Sequence, residues 1–278
     1  MNQPKVCLSI AGLDPSGGAG TIADVKTFSA FGCFATAAVT SLTFQNTVEV
    51  AGAAHQTDET VRRQIEPVLK DLEISAVKTG MLPVAAIIEA AANLIREYGL
   101  KNIVVDPVVR STSGFDLIDN TALRTLIKML FPLADVITPN IPEAERISGI
   151  AISDESDIEA AARQMQSMGA RNILIKGGHM GIADRGSRIA DLEQQGSRTA
   201  KDYLFFSGVV HIFEADYIDT TSTHGTGCTL SAAIAANLAL GNDLKTSVDI
   251  SKRFVTEAIR TAPGLGHGHS PLNIEKWS

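Results

Sequence analysis

The sequence predicts an α/β fold: a three-layer sandwich with a central, mostly parallel β-sheet and helices on both faces. Short β-rich runs alternate with longer amphipathic runs, an order typical of parallel strands joined by right-handed crossovers. The chain has 278 residues, of which 45% are hydrophobic, enough for one substantial core. No repeat, low-complexity tract or proline-rich linker divides it, so we expect a single domain over residues 1–278.

Five short apolar runs are predicted to form the parallel strands. They are KVCLSIAG at 5–12, SAVKTG at 75–80, KNIVVDP at 101–107, ADVITPN at 134–140 and RNILIKGG at 171–178. The spacing of apolar residues between and after these runs predicts helices. These helices are expected to begin near Ala19, Val84, Asn120, Gly227 and Leu244.

The pattern changes after Lys176. Between residues 187 and 219, period-two segments alternate with turn residues, which favours antiparallel pairing. We therefore expect antiparallel strands at one edge of the sheet.

Composition argues against several classes of partner. The formal net charge is −7 and the basic residues are spread along the chain, so we expect no nucleic-acid partner. No apolar run approaches the ~20 residues that span a bilayer, so we expect no membrane segment. Cys7, Cys33 and Cys228 form no CxxC pair, and the first residues lack a signal-peptide pattern. Both observations favour a cytoplasmic protein.

Six loops follow the predicted strands and are expected to converge, because ligands of open α/β sheets bind at the carboxyl ends of the strands. The loops are GLDPSGGAG, SLTFQNT, KTGM, DPVVRSTSG, TPNIPEAE and KGGH. In the first of them and the helix that follows, Asp14 and Asp24 are candidate polar contacts. None of these loops matches the GxxxxGK[ST] or GxGxxG patterns of common nucleotide-binding loops.

A seventh segment, HGTGC at 224–228, precedes an apolar helix. Glycines at Gly225 and Gly227 allow backbone N–H groups to turn inward, and the positive end of the helix adds to them. Together they form a hole for a phosphate or an oxyanion. The alternative is an ordinary strand-to-helix turn with Thr226 as the N-cap and Cys228 as a buried filler.

Two further loops carry candidate ligands for a nucleotide. Asn140 and Glu143 are three residues apart at a helix start, where an amide and a carboxylate can hold water around Mg²⁺. The alternative is a helix N-terminus with a stabilising acid in its first turn. Lys176 ends a strand and can meet a phosphate, although a solvated lysine is the common fate of such a residue.

In combination, these motifs resemble the hydroxymethylpyrimidine/phosphomethylpyrimidine kinases of thiamine biosynthesis, within the ribokinase-like superfamily. The resemblance runs from the first strand to the C-terminal loop and rests on eight motifs in order. They are AGLDPSGGAG with ADVKTF, VTSLTFQNT, KTGML, DPVV with TSG, TPNIPEAE, KGGH, THGTGCTLSAA and GLGHGHSPLN. It implies the ribokinase-like sandwich without a separate lid domain, and a homodimer.

The resemblance also implies roles for residues of this chain. Gln45 matches a glutamine that binds the aminopyrimidine, in a pocket whose other matching residues are Asp24, Met81 and Val108. Asn140 and Glu143 match the residues that organise Mg²⁺, and Asn140 and Lys176 match ATP contacts. The last set is the anion hole and the base, and its members are Gly225, Thr226, Gly227 and Cys228, with Thr226 also matching an ATP contact.

Phosphoryl transfer depends more on positioning and on stabilising the γ-phosphate oxygens than on proton abstraction. We therefore expect the glycine turn to contribute most of the rate enhancement. Cys228 lies where helix amides favour a thiolate, while a neighbouring polyphosphate opposes that form, which makes it a moderate base. Its removal is expected to lower the rate, whereas bulk in the glycine turn is expected to abolish activity.

The chain departs from the family pattern at several positions. Thr21 and Ile22 replace an Ile-Gln pair, and Phe44 stands where a small residue often precedes QNT. Thr112 replaces a lysine of several members, with Arg110 two positions earlier. These departures bear on the second phosphorylation more than on the first.

The sequence therefore predicts an ATP- and Mg²⁺-dependent kinase. Its expected substrate is 4-amino-5-hydroxymethyl-2-methylpyrimidine, followed by the monophosphate of that compound. An alternative within the same branch is a kinase of pyridoxal, pyridoxine or pyridoxamine, which offer the same hydroxymethyl group on an aromatic ring. A second alternative is a non-catalytic pyrimidine-binding protein, because fold alone does not imply activity.

Overall fold

The computed structural model describes residues 3–109, 116–177 and 199–274. Its strands form one sheet with the order β3-β2-β1-β4-β5-β6-β7-β8-β9. Strands β1, β2 and β4 to β7 are parallel to one another. The strands are β1 (Val6–Leu13), β2 (Phe34–Gln45), β3 (Val50–His55), β4 (Ile74–Thr79), β5 (Ile103–Val105), β6 (Val136–Ile137), β7 (Ile173–Lys176), β8 (Thr199–Phe206) and β9 (Val209–Asp216).

The helices lie on both faces of this sheet, as the alternation of the sequence predicts. In chain order they are α1 (Gly20–Ala30), α2 (Asp58–Asp71), α3 (Ala85–Glu97), α4 (Asn120–Leu130), α5 (Ile141–Ser148), α6 (Glu155–Ser167), α7 (Thr226–Ala239) and α8 (Leu244–Arg260). A short 3₁₀ helix, Phe131–Leu133, follows α4. No helix in the described ranges is both long and apolar enough to span a bilayer.

Alternating strand residues feed two separate cores. Val105, Ile137 and Ile175 pack with α2 to α6 on one face, while Val104 and Leu174 pack with α1, α7 and α8 on the other. This follows from the period of two in a β-strand, where successive side chains point to opposite faces. The helix that carries the glycine turn, α7, therefore rests on the same layer as α1.

Antiparallel strands occur at both edges of the sheet. The sequence predicts them at one edge only, and there β8 and β9 are antiparallel as expected; residues 187–198 of that prediction lie outside the described ranges. At the other edge β3 pairs antiparallel with β2. The sequence VAGAAH of β3 has little β-branched content, so its pairing depends on the neighbouring strand rather than on its own propensity.

Candidate active site

A cavity lies where the carboxyl ends of the parallel strands meet the N-terminus of α7. It contains every site residue predicted above except Asp24, namely Gln45, Met81, Val108, Asn140, Glu143, Lys176, Gly225, Thr226, Gly227 and Cys228. These residues come from six different segments of the chain. Their convergence at one edge is what parallel strand order requires.

The glycine turn is held by close packing that only glycine allows. Gly225 has φ +81°, and a Cβ atom there would lie 1.8 Å from the carbonyl oxygen of Gly18. At Gly227 a Cβ atom would lie 3.1 Å from Lys176 Nζ. The turn thus brings the N-terminus of α7 close to the loop that precedes α1, called the α1 loop below, and close to Lys176.

The N-cap of α7 is Gly225, not Thr226 as the alternative in the sequence suggests. Thr226 is already helical, and its hydroxyl donates to the Thr223 carbonyl at 2.7 Å. No described residue accepts a hydrogen bond from the amides of Gly227 and Cys228. Free N–H groups at a helix N-terminus are suited to bind an anion.

A buried charge pair stands opposite the turn. Lys176 Nζ donates to Asp106 Oδ1 at 2.9 Å, and Thr138 Oγ1 donates to the same oxygen at 3.2 Å. Burial alone would lower the pKa of Lys176, but attraction to Asp106 and Glu143 raises it above its usual value. Lys176 therefore remains a cation at neutral pH, with its Nζ facing the cavity.

Asn140 and Glu143 form a reciprocal capping box at the start of α5. The Asn140 side chain accepts from the Glu143 amide at 2.9 Å, and the Glu143 carboxylate accepts from the Asn140 amide at 2.8 Å. Both residues also line the cavity, so the capping role does not exclude a role in binding. Burial raises the pKa of Glu143 to about 7, with Asp106 adding to the effect against the attraction of Lys176.

Cys228 is a thiol rather than a thiolate at neutral pH. Burial raises its pKa to about 11; Asp24 and Asp106 add to this increase, whereas Lys78 opposes it. A hydrogen bond from the Gly20 amide, at the start of α1, also lowers this pKa but does not reverse the increase. These surroundings together favour the thiol over the thiolate, so the role of Cys228 as a base stays a prediction.

Asp24 lies beneath the cavity and does not line it. Its side chain is fully buried, and Lys78 Nζ donates to both carboxylate oxygens at 2.9 Å. Ser9 Oγ donates to one of them at 2.5 Å. With both oxygens occupied inside the protein, Asp24 supports the cavity floor instead of contacting a ligand directly.

The chain is similar to known proteins along most of its length. Residues 14–273 match the family model described as phosphomethylpyrimidine kinase. The chain belongs to the phosphomethylpyrimidine kinase family. The match extends from the loop after β1 to the segment that follows α8. It therefore includes every cavity residue named above.

Two curated relatives illustrate the family. A hydroxymethylpyrimidine/phosphomethylpyrimidine kinase of Bacillus subtilis is 42% identical over 266 residues, covering 96% of this chain and 93% of the relative. The thiamine biosynthesis bifunctional protein ThiED of Geobacter sulfurreducens is also 42% identical over 266 residues. Those residues are 96% of this chain but only 51% of ThiED, so the chain spans about half of that protein.

Two solved structures share the fold of this phosphomethylpyrimidine kinase family member. The phosphomethylpyrimidine kinase of Clostridium difficile has a TM-score of 0.76 and 38% identity, covering 92% of this chain and 99% of its own. The ADP complex of Bacillus subtilis pyridoxal kinase has a TM-score of 0.83 and 34% identity, covering 97% of both chains. The ribokinase-like fold is thereby confirmed.

Sequence reasoning missed three residues of this family member's site. Asp106 pairs with Lys176, Lys78 pairs with Asp24, and His224 lies 2.7 Å from Asp14. The sequence did carry a signal for Asp106 and Lys78, because each is a charged residue within or directly after an apolar strand. Arg110 and Thr112, named above among the departures from the family pattern, lie outside the described residues.

Proposed function

We propose that this family member transfers the γ-phosphoryl group of ATP to the hydroxymethyl oxygen of 4-amino-5-hydroxymethyl-2-methylpyrimidine, and then phosphorylates the monophosphate. The observation that carries the proposal is the single cavity in which the glycine turn of α7, Lys176 and Gln45 meet. A ring held at Gln45 has its hydroxymethyl group within the same cavity as the anion hole. Membership of the kinase family supports the same reaction.

The nucleotide has a candidate site beside this cavity. A second, mostly apolar cavity between β8, β9, α7 and α8 shares Lys176 and Thr226 with the first. A nucleoside in the second cavity would direct its phosphates past these two residues toward the glycine turn. Structures of Staphylococcus aureus pyridoxal kinase with AMP-PCP and with ADP support ATP as the donor.

In the transfer step, the chain's own groups provide position and charge. The Gly227 and Cys228 amides and Lys176 face the place where negative charge spreads over the γ-phosphoryl oxygens, and preorganised donors of this kind supply most of the rate enhancement. Cys228 can accept the hydroxyl proton only as a thiolate, and because its pKa is raised to about 11 it must first lose its own proton. If Cys228→Ser leaves turnover unchanged, this role as base is wrong.

The residues present fit Mg²⁺. Asp106 Oδ2 accepts no hydrogen bond from the described residues and points toward the glycine turn, 3.9 Å from where a Cβ of Gly227 would lie. Glu143 is a buried carboxyl group whose pKa is raised. A nearby cation would stabilise its ionised form. Together with Asn140 they would hold the ion largely through water, as Mg²⁺ prefers. The ion would neutralise charge on the nucleotide phosphates.

A second candidate function is phosphorylation of pyridoxal. It is favoured by the likeness to Bacillus subtilis pyridoxal kinase, at 34% identity over 97% of both chains. The third reading, a pyrimidine-binding protein without activity, would need neither Lys176 nor the glycine turn.

One experiment separates these functions. The purified protein is given ATP, Mg²⁺ and either the hydroxymethylpyrimidine or pyridoxal, and ADP release is measured while products are identified by mass spectrometry. Addition of two phosphates to the pyrimidine is expected; addition of one would assign the departures at Ile22, Phe44 and Thr112 to a lost second step. Preference for pyridoxal would support the second candidate, and no turnover would support the binding protein.

Two further properties belong to the proposal. The three cysteines are free thiols, which supports a location in the reducing cytoplasm. A homodimer is supported by large exposed side chains at the β2–β3 edge of the sheet. Phe34, Leu42, Phe44 and Val48 are 42–56% exposed there, and a second copy of the chain would cover them. We call these four residues the β2–β3 face.

A further inference from the structure

The carboxylate of Asp14 is surrounded by donors at the cavity wall. It accepts from the Ser16 amide at 2.8 Å, the Ser16 hydroxyl at 2.7 Å and the Ala19 amide at 2.9 Å. His224 Nε2 lies 2.7 Å from Oδ2, the oxygen that also accepts from Ala19. Burial would raise the pKa of Asp14, but the hydrogen bonds from His224 and Ser16 lower it below its usual value. Asp14 is therefore ionised at neutral pH and can only accept.

This fixes the proton of His224. Its Nε2 atom must carry hydrogen to donate to a carboxylate at 2.7 Å. Gln45 Nε2 lies 3.3 Å from the same ring nitrogen, so an amide nitrogen at that point would place two donors opposite each other. The conflict disappears if the amide of Gln45 is turned by 180°, which puts its oxygen next to His224. The oxygen and nitrogen of a side-chain amide have similar shapes, so they are assigned from their hydrogen-bonding neighbours.

The other neighbour of Gln45 is compatible with the same orientation. Thr43 Oγ1 lies 3.0 Å from the Leu13 carbonyl oxygen, to which it can donate its single hydrogen. It also lies 3.1 Å from the second polar atom of the Gln45 amide. Toward Gln45 the hydroxyl is then an acceptor, and it matches the amide nitrogen. With the amide turned, its oxygen faces the positively polarised N–H edge of His224 and its nitrogen faces the Thr43 hydroxyl, so this orientation suits both neighbours.

We propose that Asp14 and His224 form a positioning pair that fixes the orientation of the Gln45 amide, and that this orientation selects aminopyrimidines over pyridine substrates. The selectivity half of this inference rests on the proposed function. An aminopyrimidine carries an amino donor next to a ring-nitrogen acceptor, so it pairs with an amide in one orientation only. A hydroxypyridine such as pyridoxal has a hydroxyl group that can donate or accept, and it tolerates either orientation.

The first test is the ratio of kcat/KM for the hydroxymethylpyrimidine to that for pyridoxal. Asp14→Asn keeps the shape of the side chain but removes the charge that holds the histidine proton, and His224→Met removes the ring donor. Both are expected to lower the ratio about tenfold, mainly through KM for the pyrimidine, as the loss of one well-placed hydrogen bond predicts. Ser16→Ala is the control, because it also loses a bond to Asp14 but leaves the Nε2 proton in place.

The second test does not depend on turnover. Long-range ¹H–¹⁵N NMR of the wild-type protein reports the tautomer of each histidine, and the signals of His224 are those lost in His224→Met. We expect hydrogen on Nε2. Hydrogen on Nδ1 alone would overturn the positioning pair, even if the protein phosphorylates neither compound. An active wild type whose ratio is unchanged in Asp14→Asn and His224→Met would overturn the selectivity, while an inactive wild type would count against the proposed function.

Discussion

Two effects act in opposite directions on the Cys228 thiol. The partial positive charge of the α7 N-terminus, about half an elementary charge, stabilises a thiolate. Burial and the carboxylates of Asp24 and Asp106 destabilise it, and together they raise its pKa to about 11. The second effect dominates because a helix end contributes only about 1 kcal/mol, less than the cost of placing an unpaired charge in a buried site.

The labelling rate of Cys228 is expected to follow this pKa. Alkylation by iodoacetamide should be slow at pH 7 and rise about tenfold per pH unit toward pH 11, because the thiolate is the reacting form. The rate is measured by mass spectrometry of labelled peptides. Cys228→Ser is the control, since Cys7 and Cys33 are buried. A plateau below pH 8 would contradict the raised pKa.

Glu143 is expected to make the protein less stable as pH rises. The folded protein holds this proton up to about pH 7, whereas the unfolded chain releases it near 4.5. Folding therefore favours the protonated form, and the free energy of unfolding falls between those two pH values, by about 2–3 kcal/mol. Glu143→Gln should remove that fall while keeping the capping box.

Urea unfolding at pH 4.5 and pH 8 measures the effect in the wild type and the variant. Glu89→Gln, on the exposed side of α3, is the matched control and should show the wild-type fall. An equal fall in Glu143→Gln would show that another group titrates in its place.

At the scale of the element, the two ends of α7 carry glycines in the same backbone region but with different surroundings. Gly225 has φ +81° and Gly241 has φ +93°. A Cβ at Gly225 would collide with the Gly18 carbonyl, while a Cβ at Gly241 would meet nothing within 4 Å. The two positions therefore separate the cost of a positive φ from the cost of lost contact with the α1 loop.

Gly241→Ala is expected to lower the free energy of unfolding by about 1 kcal/mol through backbone strain alone, with unchanged activity. Gly225→Ala should cost at least about 2 kcal/mol more and abolish phosphorylation, because α7 must move away from α1. Urea unfolding and ADP release check both variants. Similar behaviour of the two alanine variants would show that the close packing at Gly225 is unimportant.

At the scale of the whole molecule, local patterns predicted the layers of the sandwich but not the contacts across it. The strands of the parallel sheet and the convergence of the glycine turn, Gln45 and Lys176 follow from runs of apolar residues and from strand order. The Lys176–Asp106 pair joins residues 70 positions apart, and the His224–Asp14 pair joins residues 210 apart. No periodicity in one sequence reports such pairs, because tertiary packing alone determines them.

The β2–β3 face is expected to be the contact between two copies of the chain. The double variant Leu42→Ser/Phe44→Ser should convert a dimer to a monomer, because it removes apolar area that the contact would bury. Sedimentation equilibrium measures the mass. Val209→Ser/Val210→Ser is the control, since these exposed residues lie at the opposite edge of the sheet. A monomeric wild type would contradict the homodimer.

The near balance of charge in the cavity has a consequence for calorimetry. Asp106 and Lys176 neutralise each other, and Glu143 is about half protonated at pH 7. A nucleotide arriving without a metal ion adds negative charge, so Glu143 should take up a fraction of a proton from the buffer. When the nucleotide binds with Mg²⁺, Glu143 should instead release a fraction of a proton to the buffer. The apparent binding enthalpy would then vary with the ionisation enthalpy of the buffer, with opposite slopes in the two cases.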